Sequence, residues 1–274
     1  MANQDGLLSY LEGRPALLQA IELLGPAGQS DTRRSKKLQE VAGFGEVILR
    51  YVRQFLAKKD RISIVEFSCG KSYLGIVLAL VLPELEGKQA YLVGVDINAG
   101  LIDKCSRLAQ EVGLKDAQFV AGRTLAFQSE RRFDVAVALH ACDTATDEAI
   151  AKGIQLGADL ILVVPCCQNQ IRGQIVSGHP LTAMTEFGPI RYRLANMLTD
   201  ALRAQFLRSA GYFVELTEIA SPRLTPKNLC ICARKVRHST GRRRDEGYLA
   251  LKSFFDVKPK VEQFCPGIVG QDPE

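Results

Sequence analysis

The sequence predicts an α/β protein with a doubly wound, mostly parallel, seven-stranded sheet, an antiparallel last strand and an N-terminal helical extension. Three observations lead to this fold class. Short apolar, β-rich runs alternate with helix-like segments over most of the chain. The run from Leu160 to Val164 is apolar without interruption, as in strands buried on both faces of a parallel sheet. Near the end, two strand-like runs are separated only by a turn, which predicts an antiparallel pair.

The elements follow one another in a regular order. The seven predicted strands are Ile62 to Phe67, Ala90 to Val95, Ala117 to Val120, Phe133 to Leu139, Leu160 to Val164, Tyr212 to Ile219 and Leu229 to Ala233. The predicted helices between them are Ser72 to Leu82, Leu101 to Val112, Thr146 to Leu156 and Ile190 to Ala210. Residues 167–185 are predicted to form a loop. Right-handed crossovers between parallel strands then give the doubly wound arrangement.

The ends of the chain differ from this central pattern. From Ser35 to Ala57 apolar residues recur every three or four positions, which predicts an amphipathic helix. We therefore divide the chain into an N-terminal helical extension (1–57), a central domain (58–236) and a basic C-terminal tail (237–274). The arginines and lysines from Arg234 to Arg244 either track phosphates or form a solvated surface.

Composition limits the class of protein. The chain has 274 residues, 47% hydrophobic and 24% charged, which suits a globular domain with a large core. We expect no membrane span, no secretory signal and a cytoplasmic location, because no apolar run approaches ~20 residues and the N-terminus lacks a signal pattern. The eight cysteines are irregularly spaced without a CxxC pair, so we expect thiols and no metal site. The net charge of +5 permits contact with nucleic acid. No obligate protein partner is evident.

The turn after the first strand is the strongest indication of a ligand site. Glu66 ends a buried strand, small residues follow, and a helix begins near Ser72. Ligands of open α/β sheets bind at the carboxyl ends of the strands, where Gly70 permits close approach and helix N–H groups attract anions. Gly70-Lys71-Ser72 resembles the end of a P-loop, but Val65 occupies the position of its first glycine. A dinucleotide site is the weaker alternative, because two of its three glycines are missing.

Asp96 ends the second predicted strand and is placed to accept hydrogen bonds from both hydroxyls of a ribose. A solvated strand-end carboxylate is the alternative interpretation. Arg123 follows the third strand and lies either beside an adenine or in an ordinary turn.

Three segments in order resemble the class I methyltransferase domain family, which bacterial uncharacterised proteins share with eukaryotic methyltransferase-like proteins. They are Glu66 to Leu74, Leu139 to Asp147 and Val164 to Gln168. The last two are also similar to tRNA acceptor-stem 2′-O-methyltransferases. The resemblance covers roughly residues 35–235. It implies S-adenosylmethionine as cofactor and RNA, from tRNA or rRNA, as the candidate substrate.

Site residues follow from these positions. The expected cofactor-binding residues are Glu66, Ser68, Gly70, Lys71, Asp96, Ile97, Arg123, Leu139 and His140. The candidate catalytic residues are His140, Asp143, Cys166 and Cys167. His140 and Asp143 are placed to serve as a base for an oxygen acceptor, or His140 packs beneath a loop. Cys166 and Cys167 line the acceptor pocket, act as a nucleophile, bind metal with Cys142, or simply pack near the cofactor. Expected acceptor contacts are Gln168, Lys227 and Asn228, each of which also suits a turn.

Three functions remain open at this point. The first is methylation of RNA, and the second is methylation of a protein or small molecule. The third is a cofactor-binding interaction module without catalysis, because Ser68 and Ser72 replace glycines of the first family motif.

Overall fold

A seven-stranded sheet lies between two layers of helices in the computed structural model, which describes residues 5–25, 28, 31–175, 179–236 and 245–270. The strands are β1 (Arg61–Phe67), β2 (Gln89–Asp96), β3 (Ala117–Ala121), β4 (Val135–Leu139), β5 (Leu160–Val164), β6 (Tyr212–Glu218) and β7 (Leu229–Lys235). The helices are α1 (Asp5–Glu12), α2 (Pro15–Ala20), α3 (Thr32–Phe55), α4 (Tyr73–Glu86), α5 (Ala99–Glu111), α6 (Thr144–Gln155), α7 (Asn169–Arg172), α8 (Thr182–Thr185), α9 (Gly188–Ser209), α10 (Glu246–Phe255) and α11 (Val261–Phe264).

The strand order is β3-β2-β1-β4-β5-β7-β6. The first five strands pair in parallel, and β7 is antiparallel to both of its neighbours, β5 and β6. This arrangement confirms the predicted fold class. Because β1 and β4 are neighbours in the sheet but not in sequence, the chain reverses its direction of winding there, and a crevice opens at their carboxyl ends.

The two cores follow from the twofold alternation of side chains along each strand. Ile62 and Ile64 of β1 face a core that α1 to α5 cover, whereas Val65 and Phe67 face the core beneath α6 to α11. Strands β4 and β5 likewise bury apolar residues on both faces, which explains their uninterrupted apolar runs.

Local sequence sets the ends of the helices next to the crevice. The Asp31 carboxylate accepts a hydrogen bond from the Arg34 N–H at 2.7 Å and caps α3. In the same way, the Asn98 side chain accepts from the Leu101 N–H at 3.2 Å and caps α5. Gly87, with φ of +62°, ends α4.

Two regions contain more structure than the sequence pattern indicates. The predicted loop of residues 167–185 contains the single-turn helices α7 and α8, which are too short for a periodicity to show. The predicted tail of residues 237–274 contains α10 and α11, whose Tyr248 and Val261 are fully buried against the second core. Arg237 and Arg242 to Arg244 of the basic run lie outside the described residues. Arg234 lies within them and stacks on Phe55, with its guanidinium 4.5 Å from the ring centroid.

None of the described helices combines the length and the apolar character needed to cross a bilayer.

Candidate active site

A cleft of about 1180 Å³ opens at the carboxyl ends of β1 and β4. Its walls come from the N-terminal helices, the turn after β1, the turns after β4 and β5, and the loop between β6 and β7. The predicted residues that line it are Glu66, Ser68, Gly70, Lys71, Leu139, His140, Cys166 and Lys227. The structure therefore brings residues from three of the predicted site segments, and one from the last hairpin, to one place.

The turn after β1 is held in an unusual conformation. Ser68, Gly70 and Ser72 all have left-handed φ angles, of +50°, +55° and +49°. Such a conformation costs of order 1–3 kcal/mol for each residue with a side chain, and such strained residues cluster at ligand sites. A Cβ atom added at Gly70 would have nothing within 4 Å, so its Cα faces open space. The turn therefore leaves room for a ligand beside its backbone.

Asp96 connects this turn to the end of β2. Its Oδ2 accepts a hydrogen bond from the Gly70 N–H at 2.8 Å, and its Oδ1 accepts from the Asn98 N–H at 2.9 Å. The carboxylate is therefore held beside the β1 turn, although Asp96 is not among the residues that line the cleft. Ile97, the following residue, is 73% exposed and does not line the cleft either.

Glu66 points inward, to the start of α4. Its side chain is 3% exposed, and Oε2 accepts hydrogen bonds from the Ser72 hydroxyl at 2.5 Å and the Gly75 N–H at 3.1 Å. Burial raises the pKa of Glu66 to about 7, although both hydrogen bonds oppose this shift. A Cβ atom at Gly75 would lie 2.5 Å from Oε2, so the absence of a side chain at 75 is what admits the carboxyl group. Glu66 thus orients the helix N-terminus that faces the cleft.

An acid from the N-terminal extension, Glu22, joins two lysines across one side of the cleft. Its carboxylate lies 2.9 Å from Lys71 Nζ and 2.5 Å from Lys104 Nζ. Hydrogen bonds from Lys104 and Lys71 lower the pKa of Glu22. The N-terminal segment is therefore part of the site, which the sequence did not predict.

His140, which follows β4 and also lines the cleft, has a left-handed φ of +59°. Its N–H donates to the Val164 carbonyl at 2.9 Å, so the strained backbone is fixed against β5. The imidazole Nε2 lies 3.2 Å from Glu40 Oε2, whereas Nδ1 is buried without a hydrogen-bond partner among the described residues.

Glu40 belongs to α3 and is buried, although it is charged. Burial acts to raise its pKa, but the hydrogen bond with His140 and the charges of His140, Lys37 and Lys36 outweigh this effect, so the pKa lies below its usual value. Glu40 was not among the site residues that the sequence predicted. The signal was present, since Glu40 lies four residues before Phe44 on the apolar face of the predicted helix.

Asp143 does not join His140 in the cleft. Its Oδ1 accepts from the Gln170 N–H at 3.0 Å, and its carbonyl accepts from Arg203 Nη2 at 2.7 Å. The structure therefore places Asp143 on the side of the turn that faces α7 and α9.

The cysteines after β4 and β5 form a cluster. Cys142 Sγ lies 3.1 Å from Cys166 Sγ and 4.0 Å from Cys167 Sγ, and the two adjacent cysteines are 3.7 Å apart. Burial and the neighbouring thiols raise the pKa of Cys166, which makes it a poor nucleophile at neutral pH. Cys166 also lines the cleft.

The three predicted acceptor contacts lie in different environments. Lys227 lines the cleft, with Nζ 3.3 Å from the Tyr192 hydroxyl. Gln168 is 4% exposed and its amide donates to Asp200 at 3.1 Å. Asn228 is also buried and donates to the Ala220 carbonyl at 2.7 Å. Of the three, only Lys227 presents its side chain to the cleft.

Arg123 lies apart from this cleft. It is exposed and lines a second cavity of about 390 Å³ between β2, β3 and Phe127.

A family model described as a methyltransferase domain matches residues 36–174, just over half of the chain. The match includes the β1 turn, Asp96, His140 and the cysteine cluster. The chain belongs to this methyltransferase family. S-adenosylmethionine is accordingly its cofactor, as the sequence predicted.

Curated relatives of this methyltransferase share only part of their length with it. The glutathione S-transferase C-terminal domain-containing protein of Mus musculus is 33% identical over 148 residues, which are 52% of this chain and 20% of the relative. The protein of that name from Homo sapiens is 25% identical over 194 residues, 60% of this chain and 29% of the relative. The chain therefore spans less than a third of these relatives.

Two methyltransferases are among the solved structures whose folds resemble this chain. One is magnesium protoporphyrin IX methyltransferase from Synechocystis PCC 6803 with bound SAH, with 15% identity, coverage of 83% of this chain and 95% of that one, and a TM-score of 0.46. The other is an rRNA methylase from Streptococcus thermophilus, with 11% identity, coverage of 67% and 93%, and a TM-score of 0.43.

Proposed function

We propose that this protein transfers a methyl group from S-adenosylmethionine to RNA, with tRNA or rRNA as the acceptor. The charge of the cleft supports a polyanionic acceptor. Its basic residues are Arg33, Arg34, Lys36, Lys37, Lys71, Lys104 and Lys227, against four acids, Glu22, Asp31, Glu40 and Glu66. Glu66 is partly protonated near neutral pH because its pKa is about 7. The net charge of the cleft is therefore more positive than the numbers of basic and acidic residues indicate. Such a rim attracts phosphates.

The β1 side of the cleft, with the neighbouring end of β2, is the proposed cofactor half. The open space at Gly70 and the volume of the cleft suit a nucleoside ligand. Asp96 would accept hydrogen bonds from ribose hydroxyls, and the N-terminus of α4 would attract the carboxylate of the methionine part. Ser68, Lys71, Ile97 and Leu139 form the remaining contacts in this proposal. When bound, the cofactor supplies an electrophilic methyl group on a sulfonium.

His140 and Glu40 form the proposed acceptor half. Glu40 accepts from Nε2–H of the imidazole, which leaves the lone pair of Nδ1 without a partner. Nδ1 is buried in the free protein, so binding of the acceptor must expose it. The acceptor hydroxyl would then supply the missing partner, and Nδ1 would take the proton of that hydroxyl. The negative charge of Glu40 would then stabilise the imidazolium. His140 is the catalytic residue in this proposal, and Glu40 is a positioning residue that acts through it.

The test is methyl transfer by the purified protein from labelled S-adenosylmethionine to total cellular RNA and, separately, to cellular protein and a metabolite extract. Label that RNase removes and protease does not supports the proposal. Label only in protein or in small molecules would refute the RNA acceptor. Cofactor binding without any transfer would indicate a non-catalytic module.

Variants separate the two halves of the site. We expect His140→Asn to lower kcat by about 10²- to 10⁴-fold, the usual contribution of a general base. Glu40→Gln should lower kcat less and leave the Kd for the cofactor unchanged, since Glu40 acts on the imidazole. Glu111→Gln, at the exposed end of α5, is the matched control. If His140→Asn and Glu40→Gln both lose cofactor affinity to the same extent, the division of the cleft into a cofactor half and an acceptor half is wrong.

We also propose a reducing compartment such as the cytoplasm. All eight cysteines are free thiols, including the adjacent trio beside the cleft, which an oxidising compartment would tend to convert to disulfides.

A further inference from the structure

The thiols of Cys142, Cys166 and Cys167 have no part in the proposed methyl transfer, yet they converge on one point. Cys142 lies on the turn after β4, and Cys166 and Cys167 follow β5. Leu139 and Val164 are register partners at the ends of these parallel strands, so the two turns leave the sheet side by side. The cluster is therefore fixed by the sheet rather than by a flexible loop.

The spacing of the sulfur atoms matches a set of metal ligands. A tetrahedral zinc ion has Zn–S bonds of about 2.3 Å, which places neighbouring sulfur atoms about 3.8 Å apart. The three Sγ–Sγ distances here are 3.1, 3.7 and 4.0 Å. A disulfide needs about 2.05 Å between its sulfur atoms, and each of these cysteines is a free thiol.

We propose that Cys142, Cys166 and Cys167 bind one Zn²⁺ ion as thiolates. Soft sulfur ligands select Zn²⁺ over hard cations such as Mg²⁺. The thiols lose their protons to solvent as the three Zn–S bonds form. Three protein ligands leave a fourth coordination position, and catalytic zinc sites share this pattern. Because Cys166 lines the cleft, the ion would lie next to the acceptor half of the site.

The sequence left metal binding by Cys142, Cys166 and Cys167 as one of several alternatives, and the cysteine spacing argued against it. Zinc sites are usually predicted from two cysteines separated by two residues, whereas here one ligand comes from one strand end and two adjacent ligands come from the next. Exposure of Cys142 gives an ion access from solvent.

The test is titration of the reduced full-length protein with Co²⁺ under anaerobic conditions, followed by displacement with Zn²⁺. We expect saturation at one equivalent, with thiolate-to-metal charge-transfer absorption and the visible bands of a tetrahedral site. Cys142→Ala, Cys166→Ala and Cys167→Ala should each weaken binding, by at least about tenfold if the ligands act together. Cys265 lies at the end of α11 and far from the cluster in sequence. The control variant Cys265→Ala should therefore retain metal binding.

Several results would overturn the proposal. They are the absence of saturable charge-transfer absorption, absorption that survives all three cluster substitutions, and an affinity for Co²⁺ that is unaffected by Cys142→Ala, whose exposed side chain can be replaced without loss of core packing. A Cys142–Cys166 disulfide that forms in place of metal binding would do so as well. None of these measurements requires methyl transfer. Failure of the zinc proposal can therefore be told apart from failure of the proposed function.

Discussion

Glu66 is a carboxyl group enclosed by protein at the end of β1. Its pKa rises from 4.5 in the unfolded chain to about 7 in the folded protein. Between these values the folded protein holds a proton that the unfolded chain has released. The free energy of unfolding therefore falls as pH rises through this window, by up to about 1.4 kcal/mol per pH unit for this group.

Replacement of Glu66 by Gln should remove that component, since an amide does not titrate. Urea unfolding across about pH 5 to 7 should show a flatter dependence for Glu66→Gln than for the wild type. Glu111→Gln, an exposed glutamate, should keep the wild-type slope. Parallel curves for Glu66→Gln and the wild type would show that Glu66 ionises in the folded protein as it does in the unfolded chain.

Asp96 is the acid at the end of β2 that we expect to bind the cofactor. Asp96→Ala should weaken cofactor binding by about 1.5 to 3 kcal/mol, roughly ten- to hundredfold in Kd, because hydrogen bonds to a charged group are lost. Isothermal titration calorimetry measures the change. Asp103→Ala, an exposed acid on α5, serves as the control and should bind as the wild type does. Unchanged affinity in Asp96→Ala would remove this residue from the proposed site.

The sequence predicted the positions of these two acids because each ends a strand, and strand ends meet at one edge of a parallel sheet. It did not predict their partners. Lys71 and Glu22 are 49 residues apart, and His140 and Glu40 are 100 residues apart. Such contacts depend on how the N-terminal extension packs on the domain, which no local periodicity encodes.

Helices α6 and α9 are joined through a buried charge. Arg203 is 1% exposed, and its guanidinium lies 2.8 Å and 3.0 Å from the two carboxylate oxygens of Asp147. A further hydrogen bond from Arg203 to the Asp143 carbonyl fixes the turn after β4, and a longer contact of 3.4 Å reaches Asp200. The arginine thus couples the packing of two helices to the turn that carries His140.

Asp147→Ala should destabilise the protein by about 3 kcal/mol, the lower end for a broken buried ion pair, because the buried guanidinium keeps only the more distant carboxylate of Asp200, at 3.4 Å. Denaturant unfolding gives the change directly. Glu148→Ala, at the next position of α6, removes a carboxylate that makes no comparable pair and should stay within about 0.5 kcal/mol of the wild type. A similar, small effect for both variants would mean that Arg203 finds compensation elsewhere.

The sequence pattern located every strand that the structure describes, and the long helices. Helix α3 was predictable because its apolar residues recur over 24 residues. The four-residue helices α7 and α8 were not, since one turn contains no repeat. Helix α10 follows the basic run and buries Tyr248 and Phe255. Two buried residues are too few to indicate an amphipathic helix in the sequence, because the surface they pack against is known only from the structure.

The positive charge of the cleft predicts that RNA binding depends on salt concentration. If Arg33 and Lys36 contact phosphates, RNA affinity should fall steeply as salt rises, with a slope of about 0.7 to 0.9 in log K per contact. Arg33→Ala with Lys36→Ala should lower that slope by about 1 to 2. Fluorescence anisotropy with labelled RNA at several salt concentrations measures it. The double variant Arg107→Ala with Lys115→Ala, exposed but outside the cleft, should keep the original slope. Equal slopes in both double variants would place the RNA surface elsewhere.

The carboxyl group of Glu66 occupies space that a side chain at position 75 would fill, since a Cβ there would lie 2.5 Å from it. The two positions are therefore not free to vary independently during evolution. In a family member that carries alanine or a larger residue at the position of Gly75, the acid at the end of the first strand must be shortened, lost or turned toward the ligand. Changes at these two columns of a family alignment should accordingly occur together.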